Sequence, residues 1–157
     1  MLAQAMLTLP DELCQLVAEH LDADNPLLSL DRLRHLFLEG FMMTDLDPFA
    51  DCTSLQSLGL ERISLENGSL APLALLTNLH NLSLANTLLG SVEPLTTLSK
   101  LKDLDLSGTA LPDASPLSAL TNLQALRINK VHAVGFNVGL LTQLQNLGMA
   151  GAWKAWF

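Results

Sequence analysis

Apolar residues recur along this chain in one phrase that repeats every 21 to 24 residues. Its cleanest copies are Pro94-Leu95-x-x-Leu98-x-x-Leu101-x-x-Leu104-x-Leu106 and Pro116-Leu117-x-x-Leu120-x-x-Leu123-x-x-Leu126-x-Ile128. Prolines at 26, 48, 72, 94 and 116 open five such phrases, at intervals of 22, 24, 22 and 22 residues. A unit this short cannot bury its own apolar face, so a fixed period of this size predicts stacked repeats around one continuous core. Within each phrase the run L-x-x-L-x-L predicts a short strand, beginning at Leu33, Leu55, Leu79, Leu101, Leu123 and Leu144. Alternation along a strand turns the leucines inward and the residues between them outward. The longer interval places two extra residues before Leu79, assigned to the turn-forming tripeptide Glu66-Asn67-Gly68.

The pattern divides the chain into residues 1–25, the repeats at 26–150, and a short end at 151–157. Thr8 and Pro10-Asp11-Glu12 read as a helix start, with a hydroxyl cap, an early proline and acids in the first turn. Leu13, Leu16, Val17 and Leu21 then share one helical face, and Asp22-Ala23-Asp24-Asn25-Pro26 ends the helix. Such a helix caps the open end of a repeat core. Leu9-Pro10-Asp11-Glu12-Leu13 also resembles the opening of an F-box, the helical motif that docks adapters to a ubiquitin ligase scaffold. At the other end, Trp153, Trp156 and Phe157 either plug the core or form an apolar surface for self-association.

Composition narrows the partners. Sixteen acidic residues against 8 basic ones give a net charge of −8, which disfavours nucleic acid and membrane surfaces and favours a basic protein partner. The two cysteines, Cys14 and Cys52, make no disulfide framework. Cys52 stands where other repeats have Leu76, Leu98 and Leu120, so it is expected in the core. Met1 to Leu7 holds no basic residue, and no stretch approaches the roughly 18 apolar residues of a membrane span. A cytoplasmic chain is expected, which makes the sequons at Asn67 and Asn81 chance matches.

Segments such as Leu104-Asp105-Leu106-Ser107-Gly108-Thr109-Ala110-Leu111 and Leu120-Thr121-Asn122-Leu123 resemble the leucine-rich-repeat family. The resemblance is to its short 22-residue class, found in internalins and in a phosphatase regulatory subunit, and the repeats look bacterial. It implies an α/β leucine-rich-repeat solenoid with an N-terminal capping helix and a curved parallel sheet on the concave face. Loops and short 3₁₀ or helical turns starting at the prolines would cover the opposite face. The chain departs from the family at the ladder position, usually Asn or Cys, which here holds Phe41, Ile63, Thr87, Thr109, Val131 and Ala152. Only the two threonines can satisfy loop backbone groups from the side chain, so the other loops need different partners.

The outward strand residues supply the candidate site. They are His35, Phe37 and Glu39; Ser57, Gly59 and Glu61; Asn81, Ser83 and Ala85; Asp103, Asp105 and Ser107; Ala125, Arg127 and Asn129; and Asn146, Gly148 and Ala150. Strands about 4.8 Å apart line equivalent positions up in columns. Glu39 and Glu61 then form one acidic pair, Asp103 and Asp105 another, with Arg127 one strand beyond to neutralise part of it. Phe37, alone among small and polar neighbours, is either an interface anchor or packed on the cap. The partner-binding candidates are His35, Phe37, Glu39, Glu61, Asn81, Ser83, Asp103, Asp105, Arg127 and Asn129.

Chemistry has little support in the pattern. The histidines at 20, 35, 80 and 132 lack metal-ligand spacing, and there is no nucleophile elbow or phosphate-binding loop. No cofactor is expected. The expected function is non-catalytic binding of a protein through an acidic concave face. Alternatives are a dedicated inhibitor or immunity protein of a basic toxin, a host-directed effector fragment, an F-box-like adapter, and an enzyme working through Asp103 and Asp105.

Overall fold

A leucine at every second position of each phrase gives a strand one side that must be buried, and the next repeat supplies the cover. In the computed structural model, which describes residues 33–40, 42–43, 45–65, 68–131 and 134–151, this produces eight strands. In chain order they are β1 (His35–Glu39), β2 (Met42–Met43), β3 (Ser57–Glu61), β4 (Ser64–Leu65), β5 (Asn81–Ser83), β6 (Asp103–Asp105), β7 (Ala125–Arg127) and β8 (Asn146–Gly148). Six of them form one parallel sheet in the order β1-β3-β5-β6-β7-β8. The register stacks Leu36, Leu58, Leu82, Leu104, Leu126 and Leu147 in one inward row. β2 and β4 pair in a second, two-stranded parallel sheet, and a bridge between Leu88 and Ala110 carries the same edge further along.

The other side of each repeat is a 3₁₀ turn, at Asp47–Phe49, Ala71–Leu75, Glu93–Thr97, Ser115–Ala119 and Val138–Leu140. The first four carry Pro48, Pro72, Pro94 and Pro116 at their start, as the period predicted. Proline suits that place because its φ is preset and no N–H is needed there. Three residues before each proline a short polar side chain accepts the N–H two residues on. Asp45 takes that of Asp47, Ser69 that of Ala71, Ser91 that of Glu93 and Asp113 that of Ser115, at 2.8–3.3 Å. Asn137 does the same for Gly139 in the turn without proline.

Between sheet and turns lies the core. Leu46, Phe49, Cys52, Leu104, Leu106, Leu126 and Ile128 are completely buried, so Cys52 takes the apolar place expected of it. Leu147, the inward residue of β8, is 41% exposed. No helix among the described residues is long and apolar enough to cross a membrane. The expected helix over 8–21 with its F-box-like opening, residues 66–67, and Trp153, Trp156 and Phe157 lie outside the described residues.

The unusual ladder position has a structural answer. The residue before it is left-handed in every repeat: Gly40, Arg62, Asn86, Gly108, Lys130 and Gly151 have φ of 76, 54, 57, 72, 57 and 68°. That conformation aims the backbone N–H along the solenoid. Those of Gly40, Arg62, Asn86, Gly108 and Lys130 donate to the carbonyls of Glu61, Ala85, Ser107, Asn129 and Ala150 in the following repeat, at 2.8–3.0 Å. Backbone thus ties repeat to repeat, and Ile63 and Val131 are free to pack in the core. Of the two ladder threonines, Thr87 donates to the Leu60 carbonyl of the preceding repeat, while Thr109 donates to Leu106 in its own.

Candidate functional site

The open face of the six-stranded sheet holds the outward residues in columns. His35, Ser57, Asn81, Asp103, Ala125 and Asn146 form the first column. Phe37, Gly59, Ser83, Asp105, Arg127 and Gly148 form the second, and Glu39 lies beside Glu61 in a third. The parallel register between repeats of matching phrase makes this arrangement, because each strand enters the sheet at the same point of its repeat.

The carboxylates on this face are more engaged than their spacing suggests. Arg62, one residue past β3, reaches back to Glu39 at 2.6 Å, so Glu39 and Glu61 are not a bare like-charge pair. Arg127 stands opposite Asp105 in the register yet forks onto Asp103, at 2.7 and 3.3 Å. It crosses diagonally because Ala125, the residue opposite Asp103, leaves that space open. The hydrogen bonds to Asp103, its charge, and more weakly the charge of Asp105 hold the Arg127 guanidinium above its ordinary pKa. Both ion pairs are solvent-exposed, so each contributes within about 0–1 kcal/mol.

Two carboxylates on this face, Glu61 and Asp105, carry no ion pair among the described residues. Glu61 accepts the Ser83 hydroxyl at 2.8 Å, and Asp105 accepts the backbone N–H of Ser107 at 2.8 Å. Asn81 donates to Ser57, and Asn129 donates to Ser107 while accepting the N–H of Ala150. These bonds lay the polar side chains along the sheet and leave the face low and open.

Phe37 stands apart. The residue is 70% exposed, and the Cδ1 edge of its ring points at Gly59, where an added Cβ would collide with it. Glycine in a strand marks a close approach of this kind, the signal by which Gly59 was findable as part of the face. Arg62 gave no such signal, since it follows the strand rather than standing in it. Among the described residues no three His, Cys, Asp or Glu side chains converge on a place for a metal ion.

Several solved structures share the architecture. An internalin (inlF) of Listeria monocytogenes matches with a TM-score of 0.62 and 30% identity, over 68% of this chain and 31% of that one. Internalin C2 of the same organism matches with a TM-score of 0.56 and 32% identity, over 68% of this chain and 46% of its own. The Arabidopsis receptor kinase HAESA, solved in complex with a peptide hormone and a co-receptor, matches with a TM-score of 0.61 and 28% identity, over 76% of this chain and 22% of that one. This chain spans less than half the length of each. No family profile and no curated protein matches it.

Proposed function

We propose that this leucine-rich-repeat chain, whose solved neighbours are leucine-rich-repeat proteins of bacteria and a plant, is a non-catalytic module that binds a protein on its concave sheet. Phe37 carries the reading: it is a 70% exposed residue with its ring edge on a glycine and polar side chains around it. A rigid aromatic with a polar rim is what binding anchors look like, because its area is lost from water at little entropic cost. The site comprises His35, Phe37, Glu39, Glu61, Asn81, Ser83, Asp103, Asp105, Arg127 and Asn129. Glu61 and Asp105 make a basic partner the best fit, since their charge is the part not already neutralised by ion pairs among the described residues. A net charge of −8 also suits an inhibitor that covers the basic site of a toxin. The match to a plant receptor kinase solved in complex with a peptide hormone and a co-receptor supports the protein-binding part of this reading.

The test compares immobilised wild type with Phe37→Ala, with the double variant Glu61→Lys/Asp105→Lys, and with Leu75→Ser on the opposite side. These changes leave both ion pairs intact. A partner kept by wild type and Leu75→Ser but lost by the other two supports the concave-face reading. A partner kept by all four overturns it.

A further inference from the structure

We infer that Phe37, Gly59 and Glu61 form a recognition site for an arginine side chain of the partner, carried on an extended segment that crosses the strands. The inference rests on the concave-face reading and adds the chemistry of what is bound there. The Phe37 ring meets Gly59 with its Cδ1 edge rather than a face, and the residue is 70% exposed. The face of an aromatic ring is its electron-rich part and attracts a cation placed over it. Glu61 lies two residues beyond Gly59 on β3, about 7 Å along the strand and on the same side of the sheet.

Of the acidic pair, Glu39 is held by Arg62, whereas Glu61 gives one oxygen to the Ser83 hydroxyl and pairs with no cation among the described residues. A ring face beside an unpaired carboxylate suits a flat cation that stacks and forks at once. Guanidinium does both and is weakly hydrated; ammonium is a compact, strongly hydrated point charge that does neither well.

Asp105 extends the argument along the solenoid. It lies in the same column as Gly59, two strands on, about 10 Å away at the usual strand spacing. An extended polyproline II segment advances about 3.1 Å per residue and returns to the same face every third residue, so a residue three positions past the arginine reaches Asp105. Asp105 already feels Arg127, which makes this second contact the weaker one. The partner segment therefore has an arginine and, three residues on, a second basic residue.

The probe is the capped hexapeptide glycine-arginine-glycine-glycine-arginine-glycine, titrated into 15N-labelled protein, against analogues with citrulline or lysine in place of both arginines. Expected are amide shifts centred on β1, β3 and β6, with binding weakened about tenfold by citrulline and less by lysine. Phe37→Ala should weaken the arginine peptide about tenfold, while Phe37→Trp, the better cation partner, should hold or tighten it. Glu61→Gln should remove most of the preference for arginine over citrulline. The spectra themselves report whether each variant is folded. Equal binding of the arginine and citrulline peptides, or shifts away from these strands, overturns the inference. If Phe37→Ala still releases the natural partner in that case, the concave-face reading survives alone; if it does not, both fall.

Discussion

Single residues in this protein are constrained by backbone torsion as much as by burial. Five left-handed residues carry the links between repeats, and three of them, Arg62, Asn86 and Lys130, are not glycine. A side chain held at φ of 57°, as in Lys130, costs energy that glycine avoids. Lys130 is exposed, and its link to Ala150 is made by its backbone, so Lys130→Gly keeps the bond and removes the strain. Urea denaturation should show this variant more stable by about 0.5–1 kcal/mol, with an unchanged m-value. Gly108→Ala is the reverse experiment. Its φ is 72°, and an added Cβ runs into the side chain of Asn86 in the neighbouring repeat, so a loss above about 1 kcal/mol is expected. Equal stability of Gly108→Ala and wild type would show that this turn relaxes out of the left-handed region.

At the scale of elements, a repeat is a strand, a left-handed turn and a 3₁₀ segment, and in the four segments with proline the start is held by a polar side chain three residues before it. Asp113 is one of these, and hydrogen bonds from the Ser115 backbone N–H and hydroxyl hold its carboxyl below the usual carboxylate range. The sign follows from that direction: the contribution of Asp113 is complete above the ordinary carboxylate range and fades as pH falls through its lowered value. Asp113→Ser keeps a side-chain acceptor, as Ser69 and Ser91 do in their turns, but has no proton to gain. The variant should melt with a shallower acid dependence than wild type between pH 5 and about 2, read by thermal scans. Parallel profiles would remove Asp113 from the acid response.

Strands and the places of the proline turns were legible because burial writes them directly into the spacing of Leu and Pro, while the choice of 3₁₀ over helical turns was not. The columns of the open face followed, since alternation and repeat register leave one arrangement. The repeat-to-repeat links were not legible. Gly, Arg, Asn, Gly, Lys and Gly share a torsion and no chemistry, so no side-chain pattern marks the position that stands one residue before the ladder. That Arg127 would neutralise part of the Asp103 and Asp105 pair was legible; which carboxylate it takes was not, because the register sets it opposite Asp105 while its fork lands on Asp103.

The whole molecule behaves as a one-dimensional stack, in which a repeat is stabilised mainly by its immediate neighbours. Leu104 and Leu147 occupy the same inward place in the phrase, and the register puts both in one row, yet Leu104 is 0% exposed and Leu147 is 41% exposed. The difference is positional: β6 has strands on both sides of it in the sheet order, and β8 ends that order. Leu104→Ala opens a cavity walled by two repeats that cannot both collapse, and should cost about 2–5 kcal/mol. Leu147→Ala removes a side chain already partly in water, with a neighbouring strand on one side only among the described residues, and should cost less than about 1 kcal/mol. Native-state hydrogen exchange should follow the same gradient, with amides of β8 exchanging through local opening while those of β5 to β7 wait for larger unfolding. If the two alanine variants lose equal stability and the strands exchange together, the repeats unfold as one indivisible unit, and neighbour contacts are not what sets the stability of each.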